Sequence, residues 1–289
     1  MLVDAHHHLW NLSEVNYPWL MEKGATRFFG DPTPIQRNYL LDEHSSELEP
    51  FKFNASVHVQ VGAEDAWQEA KWIDQIATNS KNWKIVQVAF CDLAAPEFLD
   101  QINELSKFTS LRGVRQIIGR AEKEDAQTGT NNLLNDPKFL DGLKHISKLG
   151  LTFDLQLTPN LYHETSILLQ EVPDLRVAVC HCGSPQERTG KYIDDWAEKL
   201  SKLSKRENTY CKISGLGMFD KNWSADTIQP IIGHCLEQFG PTRLMFGSNF
   251  PVDSLYSSFS KLYLEISQLI PEQFHKKIFA ENCRNFYQF

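Results

Sequence analysis

Leu2-Val3-Asp4-Ala5-His6-His7-His8, at the start of the chain, is a short apolar strand that ends in three histidines. In an open doubly wound sheet the first strand is normally followed by a glycine-rich phosphate loop, which is missing here. Seven more apolar or β-branched runs follow, and several are apolar nearly throughout, as expected for parallel strands covered on both faces. The eight predicted strands are 2–5, 53–61, 84–90, 111–117, 151–157, 175–182, 209–215 and 243–249.

Segments with helical spacing separate the predicted strands. In one of them we expect Asp136 to cap the helix, Pro137 to take the first helical position and Gly150 to follow its end. Strands that alternate with helices over 289 residues predict one α/β domain, a (β/α)8 TIM barrel over residues 1–289. The open doubly wound sheet is the alternative. The predicted helices are 64–78, 136–149, 192–204 and 226–239.

The composition is that of an ordinary globular chain with a mild negative charge. Lys and Arg number 29 against 37 Asp and Glu, a net charge of −8, which disfavours nucleic acid and anionic membranes as partners. No apolar run approaches the roughly 18 residues of a membrane span, and the first residues do not resemble a signal peptide. The six cysteines contain no C-x-x-C pair, so we expect free thiols in the cytoplasm. The expected partner is a small-molecule substrate, and the oligomeric state is left open.

A long connection, residues 9–52, separates the first two predicted strands. A connection of this length in a compact domain is usually a functional loop or lid. The alternative is a surface excursion that its aromatic residues hold against the barrel. Trp10 and Trp19 in this segment are candidates to wall a sugar-binding pocket, or else they anchor the connection.

Two histidines at the end of the first predicted strand can converge. Side chains at positions i and i+2 of a strand point the same way, so His6 and His8 face one point while His7 faces outward. His181, at the end of the sixth predicted strand, brings a third imidazole to the end of the barrel where active sites of this fold lie. Three histidines and a water suffice to hold zinc. The alternatives are a hydrogen-bonded turn at the first strand and a buried, backbone-satisfied imidazole at the sixth.

Other polar residues lie within or near the ends of predicted strands. His58 is a ligand, a substrate contact or a core histidine. Lys212 and Arg115 can bind a carboxylate or sugar hydroxyls, or can form salt bridges that close the barrel. Gln60 and Gln156 are substrate contacts or satisfied interior amides.

Motifs that cover almost the whole chain, in order, resemble a known family. They are Val3-Asp4-Ala5-His6-His7-His8-Leu9-Trp10, Tyr17-Pro18-Trp19-Leu20, Arg112-Gly113-Val114-Arg115, Phe153-Asp154-Leu155-Gln156, His181-Cys182-Gly183, Lys212-Ile213-Ser214-Gly215-Leu216, Phe246-Gly247-Ser248-Asn249-Phe250-Pro251-Val252-Asp253 and the tail from Asn282 to Tyr287. This set resembles the amidohydrolase superfamily, and within it the amidohydrolase 2 group, which holds sugar lactonases and pyrone-dicarboxylate lactonase.

The resemblance implies a barrel in which His6, His8 and His181 hold a divalent metal, zinc or manganese, although some relatives work without a metal. It also implies an Asp at the end of strand 8 that takes a proton from the attacking water, and this chain has Asn249 there. An amide is neutral and is no base near neutral pH, although its oxygen still accepts a hydrogen bond. The catalytic candidates are therefore His181, Asn249 and, as substitute bases, Asp253 and His58.

The departure at Asn249 leaves three outcomes, in order of preference. The site hydrolyses with a polarised water and a substitute base, it works with little or no metal, or it binds a sugar acid or lactone without turnover. We expect the first: an enzyme that opens a small polar lactone, most simply a sugar lactone, at the mouth of the barrel. A related decarboxylase of an aromatic carboxylate is the alternative enzyme.

Overall fold

Eight parallel strands form one sheet in a computed structural model of the chain, which describes residues 1–120 and 129–289. The strands lie side by side in chain order, so every connection is a crossover to the neighbouring strand, as in a (β/α)8 barrel. The prediction of this fold is confirmed. The strands are β1 (Leu2–His7), β2 (Phe53–Val59), β3 (Lys84–Phe90), β4 (Leu111–Ile117), β5 (Thr152–Gln156), β6 (Val177–Val179), β7 (Thr209–Ile213) and β8 (Leu244–Phe246).

The first strand is joined to the segment that follows the last one, which brings the two edges of the sheet together. The backbone amide of Asn249 donates to the carbonyl oxygen of His6 at 2.7 Å, and the backbone amide of His8 donates to the carbonyl oxygen of Phe250 at 2.8 Å. The buried Asp4 carboxylate adds a side-chain link. It accepts hydrogen bonds from the backbone amide of Ser248 at 2.8 Å and from the hydroxyl of Ser248 at 2.5 Å. These bonds attach the end of β1 to the loop after β8.

Amphipathic helices pack around the strands, and the four predicted helices are confirmed with small shifts at their ends. The Asp136 side chain accepts the amide of Lys138 at 2.9 Å, as expected of an N-cap. None of the helices in the described ranges has the length and apolar character needed to cross a bilayer. The helices are α1 (Pro18–Met21), α2 (Leu41–Leu48), α3 (Ala66–Asn79), α4 (Phe98–Leu105), α5 (Pro137–Lys148), α6 (Tyr162–Leu168), α7 (Gly190–Ser204), α8 (Ala225–Phe239), α9 (Phe259–Leu269) and α10 (Asn282–Tyr287).

Five strands are shorter than the sequence predicts, and two of them are shorter by four or five residues. The prediction of 175–182 becomes β6, Val177–Val179, and that of 243–249 becomes β8, Leu244–Phe246. In both cases the chain leaves the extended conformation at a polar residue with a positive φ, +54° at His181 and +57° at Asn249. The residues that the apolar pattern assigned to strand ends therefore form the loops at the mouth of the barrel.

Candidate active site

The rings of His6, His8 and His181 meet at the carboxyl end of the barrel. The ring centroid of His6 lies 5.2 Å from that of His8 and 4.5 Å from that of His181. His7, between the first two, points the other way and stacks on His44 at 4.0 Å, so the strand alternation is as predicted. Burial lowers the pKa of the three converging rings well below the usual value. Near neutral pH they are therefore neutral, which is the form that binds metals.

Two glycines at the ends of neighbouring strands make room for these rings. A Cβ on Gly215, after β7, would lie 2.4 Å from His181 Nδ1, and one on Gly247, after β8, would lie 2.6 Å from the Cβ of His6. Gly215 also has a φ of +63°. Next to it, the Ser214 hydroxyl lies 3.0 Å from His181 Nδ1 and fixes one side of the ring. The imidazole of His181 approaches Gly215 closely, and the backbone and Cβ of His6 approach Gly247, so both positions require glycine.

Backbone strain is concentrated at two of the candidate residues. His181 and Asn249 have φ values of +54° and +57°, in the left-handed region that few residues other than glycine adopt. Asn enters this region more easily than most side chains, whereas His181 starts a run in which Cys182, Gly183 and Ser184 also have positive φ. Strain of this kind persists where the surrounding structure enforces it, and it is common at functional sites.

Asn249 faces His8 with an oxygen atom. His8 Nδ1 lies 2.7 Å from the carbonyl oxygen of Val59, which only accepts, so in the neutral ring this nitrogen carries the hydrogen and Nε2 carries a lone pair. That Nε2 lies 3.3 Å from Asn249 Oδ1. The Asn249 amide nitrogen donates to Asp253 Oδ1 at 3.1 Å, which fixes this orientation of the amide. Two electron-pair donors therefore face each other, an arrangement that a cation bound to both would satisfy.

The donor types at this site are ones that a divalent metal accepts. Both ring nitrogens of His6 are buried and lack a hydrogen-bond partner among the described residues, which is costly unless a ligand completes them. The imidazole of His181 lies against His6, and His8 offers Nε2 together with the oxygen of Asn249. Imidazole nitrogens and a neutral oxygen are ligands that zinc and manganese accept. This set brings no negative charge to the metal.

A cavity of about 360 Å³ opens above the histidines. The long connection between β1 and β2 forms one wall of the cavity. Its aromatic residues also pack against one another, as in the T-shaped pair of Trp10 and Trp19. Arg115, Gln156 and Gln60 come from the barrel side. The described lining consists of His8, Trp19, Arg27, Phe28, Phe29, Gln60, Val61, Gly62, Ala63, Phe90, Arg115, Gln116, Ile117, Arg120, Gln156, His181, Met218, Asn249 and Val252.

Comparison with known proteins agrees with this arrangement. Residues 3–289 match the family described as amidohydrolase. The chain belongs to the amidohydrolase family. It is 29% identical to the uncharacterized protein y4mH of Sinorhizobium fredii over 99% of this chain and 98% of that protein. It is also 22% identical to an L-fucono-1,5-lactonase of Burkholderia ambifaria, over 89% of this chain and 82% of that protein.

A solved structure of an amidohydrolase from Burkholderia multivorans with bound zinc has the same fold. Its TM-score is 0.84 at 20% sequence identity, and the match covers 100% of this chain and 99% of that one. Family membership makes this amidohydrolase a hydrolase enzyme. The low identity to lactonases leaves its substrate to be inferred from the site.

Several residues that the sequence suggested for this amidohydrolase lie outside the described cavity wall. His58 Nδ1 accepts the backbone amide of Leu9 at 3.1 Å and its Nε2 faces Glu69 at 3.5 Å, so both ring nitrogens face groups of the protein. Trp10 is fully buried and donates to the carbonyl oxygen of Arg37, which makes it an anchor of the first connection. Trp19, in contrast, lines the cavity.

Asp253 does not line the cavity either, but it touches the site through Asn249. Burial raises the pKa of Asp253 to about 7, and the hydrogen bond from Asn249 lowers it in part. Its second oxygen, Oδ2, is buried as well. Asp253 is therefore placed to orient the amide of Asn249.

Lys212 forms the salt bridge that the sequence left open as an alternative to substrate binding. Its Nζ donates to Asp154 Oδ2 at 2.5 Å, and both side chains are fully buried. The hydroxyl of Tyr287, in α10, donates to the same carboxylate at 2.8 Å. The ion pair lies within the protein, and Lys212 is absent from the described lining of the cavity.

Several residues at the site were not predicted from the sequence. Ser214 lies in a motif that carries the resemblance, but it was assigned no role, because its partner His181 follows another strand. Arg27, Phe28 and Phe29 belong to the first connection, where no periodic pattern indicates which residues face inward. Arg120 follows β4, and its place after a strand end was a usable signal.

Proposed function

We propose that this amidohydrolase is a metal-assisted lactonase that opens a small polar lactone, such as a sugar lactone. One observation carries the proposal: three neutral imidazoles converge beneath a cavity, and the ring nitrogens of His6 have no partner among the described residues. The lactonase-named relatives support the substrate class. His6, His8, His181 and the Asn249 oxygen are the proposed ligands of a zinc or manganese ion.

The reaction is hydrolysis of a cyclic ester. The water oxygen adds to the carbonyl carbon, the bond from that carbon to the ring oxygen breaks, and the ring oxygen takes a proton. The product is a hydroxy acid that releases a proton near neutral pH. A bound metal would polarise the carbonyl and lower the pKa of water from ~15.7 towards about 7, which reduces the need for a strong base.

The chain's own residues hold and shield the reactants. Asn249 keeps its oxygen directed at the site because Asp253 accepts from its nitrogen. Gln60 and Gln156 offer amides to the hydroxyl groups or carbonyl oxygen of a substrate, and Arg115 is a cation in the wall for the oxygen atoms that become negative. Trp19 contributes an aromatic face against which a sugar ring can pack.

A pH-indicator assay on a panel of sugar lactones tests the proposal. Protein purified without a His-tag, and then loaded with zinc or manganese, should release protons and lose that activity on chelation. His6→Asn should remove both the activity and the metal. His7→Asn is the matched control, since its ring lies on the opposite side of the same strand and should leave metal content unchanged.

The proposal fails if the metal-loaded protein hydrolyses no lactone of the panel. Decarboxylation of aromatic carboxylates by the same preparation would then favour the alternative enzyme. Saturable binding of sugar acids without turnover would favour a binding protein. Full activity of protein that contains no metal would overturn the metal-assisted form of the reaction.

A further inference from the structure

Three buried cysteines from three different parts of the fold lie together on the outer side of the barrel wall. Cys182 is in the turn after β6, Cys211 is on β7 and Cys235 is on α8. Their sulfur atoms all lie within 4.8 Å of one another, and all three residues are fully buried. The side chain of Lys212, next to Cys211, points into the barrel towards Asp154, so Cys211 points outwards to the helices. We call these three residues the cysteine cluster.

The turn after β6 holds Cys182 in a defined conformation. Cys182 has a φ of +51°, in the left-handed region that residues other than glycine rarely adopt. Its carbonyl oxygen accepts a hydrogen bond from the indole nitrogen of Trp196, in α7, at 3.1 Å. Its Sγ lies 3.6 Å from the carbonyl oxygen of Lys212. Strain of this kind persists where the surrounding structure enforces it, so the fold determines where this sulfur lies.

The spacing of the three sulfurs suits a metal ion that takes three ligands in a plane. With metal–sulfur bonds of ~2.3 Å, the length found for zinc thiolates, such an ion needs sulfurs about 4.0 Å apart. The observed separations are at most 4.8 Å. Each sulfur therefore reaches the required spacing by a shift of about 0.5 Å or less. Because the ion would lie in the plane of the sulfurs, it needs little additional space in the packed core.

The number and type of donors decide which ion fits. Zinc in a closed site almost always has four ligands, and the described part of the cluster offers three sulfurs. The carbonyl oxygen of Lys212 lies 3.6 Å from Cys182 Sγ and 4.0 Å from Cys211 Sγ, but a carbonyl suits harder ions such as magnesium, calcium or manganese. Thiolates alone select soft ions, of which Cu(I) is the one that three sulfurs can complete.

We propose that Cys182, Cys211 and Cys235 form a closed binding site for one Cu(I) ion. The inference goes beyond the proposed function and does not depend on it. Each sulfur that binds as a thiolate releases its proton to solvent, and the copper keeps its oxidation state, so no oxidant or reductant is needed. Since Cys182 follows His181 directly, the ion would tie the turn that carries His181 to β7 and α8. A ligand of the folded state alone raises the melting temperature.

Copper content and the atoms around the copper test the proposal. The protein is produced in copper-supplemented medium, so that the ion is available while the chain folds, and is purified without oxygen. After passage over a Cu(I) chelator the wild type should retain about one copper ion per chain, and X-ray absorption should show sulfur neighbours. Cys235→Ala should bind Cu(I) more than about 100-fold more weakly in competition with the chelator, and copper should no longer raise its melting temperature.

Two variants serve as controls for this result. Cys283→Ala is the matched control, because Cys283 is also a buried free cysteine but lies in α10, outside the cluster. It should bind copper as the wild type does. His6→Asn removes an imidazole of the candidate active site and should likewise leave the copper content unchanged. If Cys235→Ala does not fold, Cys235→Ser keeps nearly the same shape and replaces the sulfur by a hard oxygen donor.

Three results would overturn the copper site. The first is wild-type protein that retains no copper although the ion was present during folding. The second is equal copper affinity of the Cys235 variant and Cys283→Ala. The third is copper with nitrogen neighbours that is lost in His6→Asn, which would place the ion at the histidines. Failure of the lactonase assay changes none of these readouts, because copper content and coordination are measured without a substrate.

Discussion

The carboxylate of Asp253 accepts a hydrogen bond from the side-chain nitrogen of Asn249 at 3.1 Å, and this contact determines which end of the amide faces His8. With the nitrogen committed to Asp253, the amide oxygen lies 3.3 Å from His8 Nε2. The family resemblance implies an Asp at the position of Asn249. In this chain a neutral amide stands at the site, and the carboxyl group of Asp253 lies behind it.

Removal of the Asp253 carboxylate should weaken metal binding without removing a ligand. In Asp253→Leu the amide of Asn249 can turn its nitrogen towards His8, and a side-chain nitrogen of an amide does not bind metals. Loss of such an orienting partner typically costs about 10–100-fold in metal affinity or activity. Titration of zinc against a competing chelator measures the change. Asp253→Asn retains an acceptor oxygen and should bind zinc more tightly than the leucine variant; equal affinity for the two would contradict the orienting role.

Exchange of the side chains at positions 249 and 253 tests whether zinc binding needs a carboxylate at position 249. Asn249→Asp alone places two carboxylates side by side, and their repulsion raises the pKa of one of them. The double variant Asn249→Asp with Asp253→Asn keeps a single carboxylate and moves it to the site. We expect this double variant to bind zinc roughly tenfold more tightly than the wild type. If Asn249→Asp has wild-type activity and zinc affinity, position 249 takes no part in proton transfer or metal binding.

The sequence predicted the barrel and the convergence of the three histidines, because both depend on local periodicity. Alternation along β1 determines that His6 and His8 share a side, and the order of strands brings His181 to the same end. The true ends of β6 and β8 were not accessible. They depend on left-handed backbone at His181 and Asn249, which the surrounding packing enforces.

The sequence also could not predict which of the buried cations in the barrel pairs with a buried acid. Lys212 and Arg115 carry the same two alternatives in the sequence, a substrate contact or a salt bridge, since each is a cation in an apolar strand. The structure separates them: Lys212 reaches Asp154 from β7, and Arg115 reaches neutral oxygens at the cavity wall. Which of the two cations forms the salt bridge depends on contacts between strands that are far apart in the chain. The residue pattern within one strand cannot predict such contacts.

Gly215→Ala should disrupt the site more than the fold. Its Cβ would lie 2.4 Å from His181 Nδ1, so the imidazole must move, and activity should fall at least about 100-fold. Gly240→Ala is the control, since Gly240 has a similar φ, +65° against +63°, but nothing lies within 4 Å of its added Cβ. Both variants carry a backbone penalty for an alanine at positive φ, on the order of 1–3 kcal/mol. Similar losses of activity in the two would show that backbone strain, and not displacement of His181, is responsible.

The Lys212–Asp154 pair should behave as one unit in the free energy of unfolding. Lys212→Met leaves the Asp154 carboxylate unpaired in the interior, and breaking a buried pair in this way costs about 3–5 kcal/mol. In the double variant Lys212→Met with Asp154→Asn, no charge remains uncompensated and Tyr287 can still donate to the amide oxygen. Urea unfolding should therefore find the double variant more stable than Lys212→Met. Strictly additive losses would show that the two side chains are not coupled.

The outer histidine stack should make the protein sensitive to acid. His44 is buried between His7 and Trp83, with ring centroids 4.0 Å and 5.6 Å away, and burial lowers its pKa to about 3. The unfolded chain binds a proton at this imidazole below about pH 6.5, whereas the folded chain does so only near pH 3. Between these values the unfolded state binds more protons, so the free energy of unfolding falls as the pH falls, by up to about 1.4 kcal/mol per pH unit for this group.

His44→Phe isolates this contribution, because it keeps an aromatic ring in the stack and removes the titrating nitrogens. Urea unfolding of both proteins at several values between about pH 7 and pH 5 gives the slope of stability against pH. The variant should lose less stability on acidification than the wild type does. The Asp4 carboxyl, whose pKa burial raises to about 6, opposes the trend below that value, but it is present in both proteins. Identical slopes would mean that the His44 imidazole does not stay neutral in the folded protein through this range.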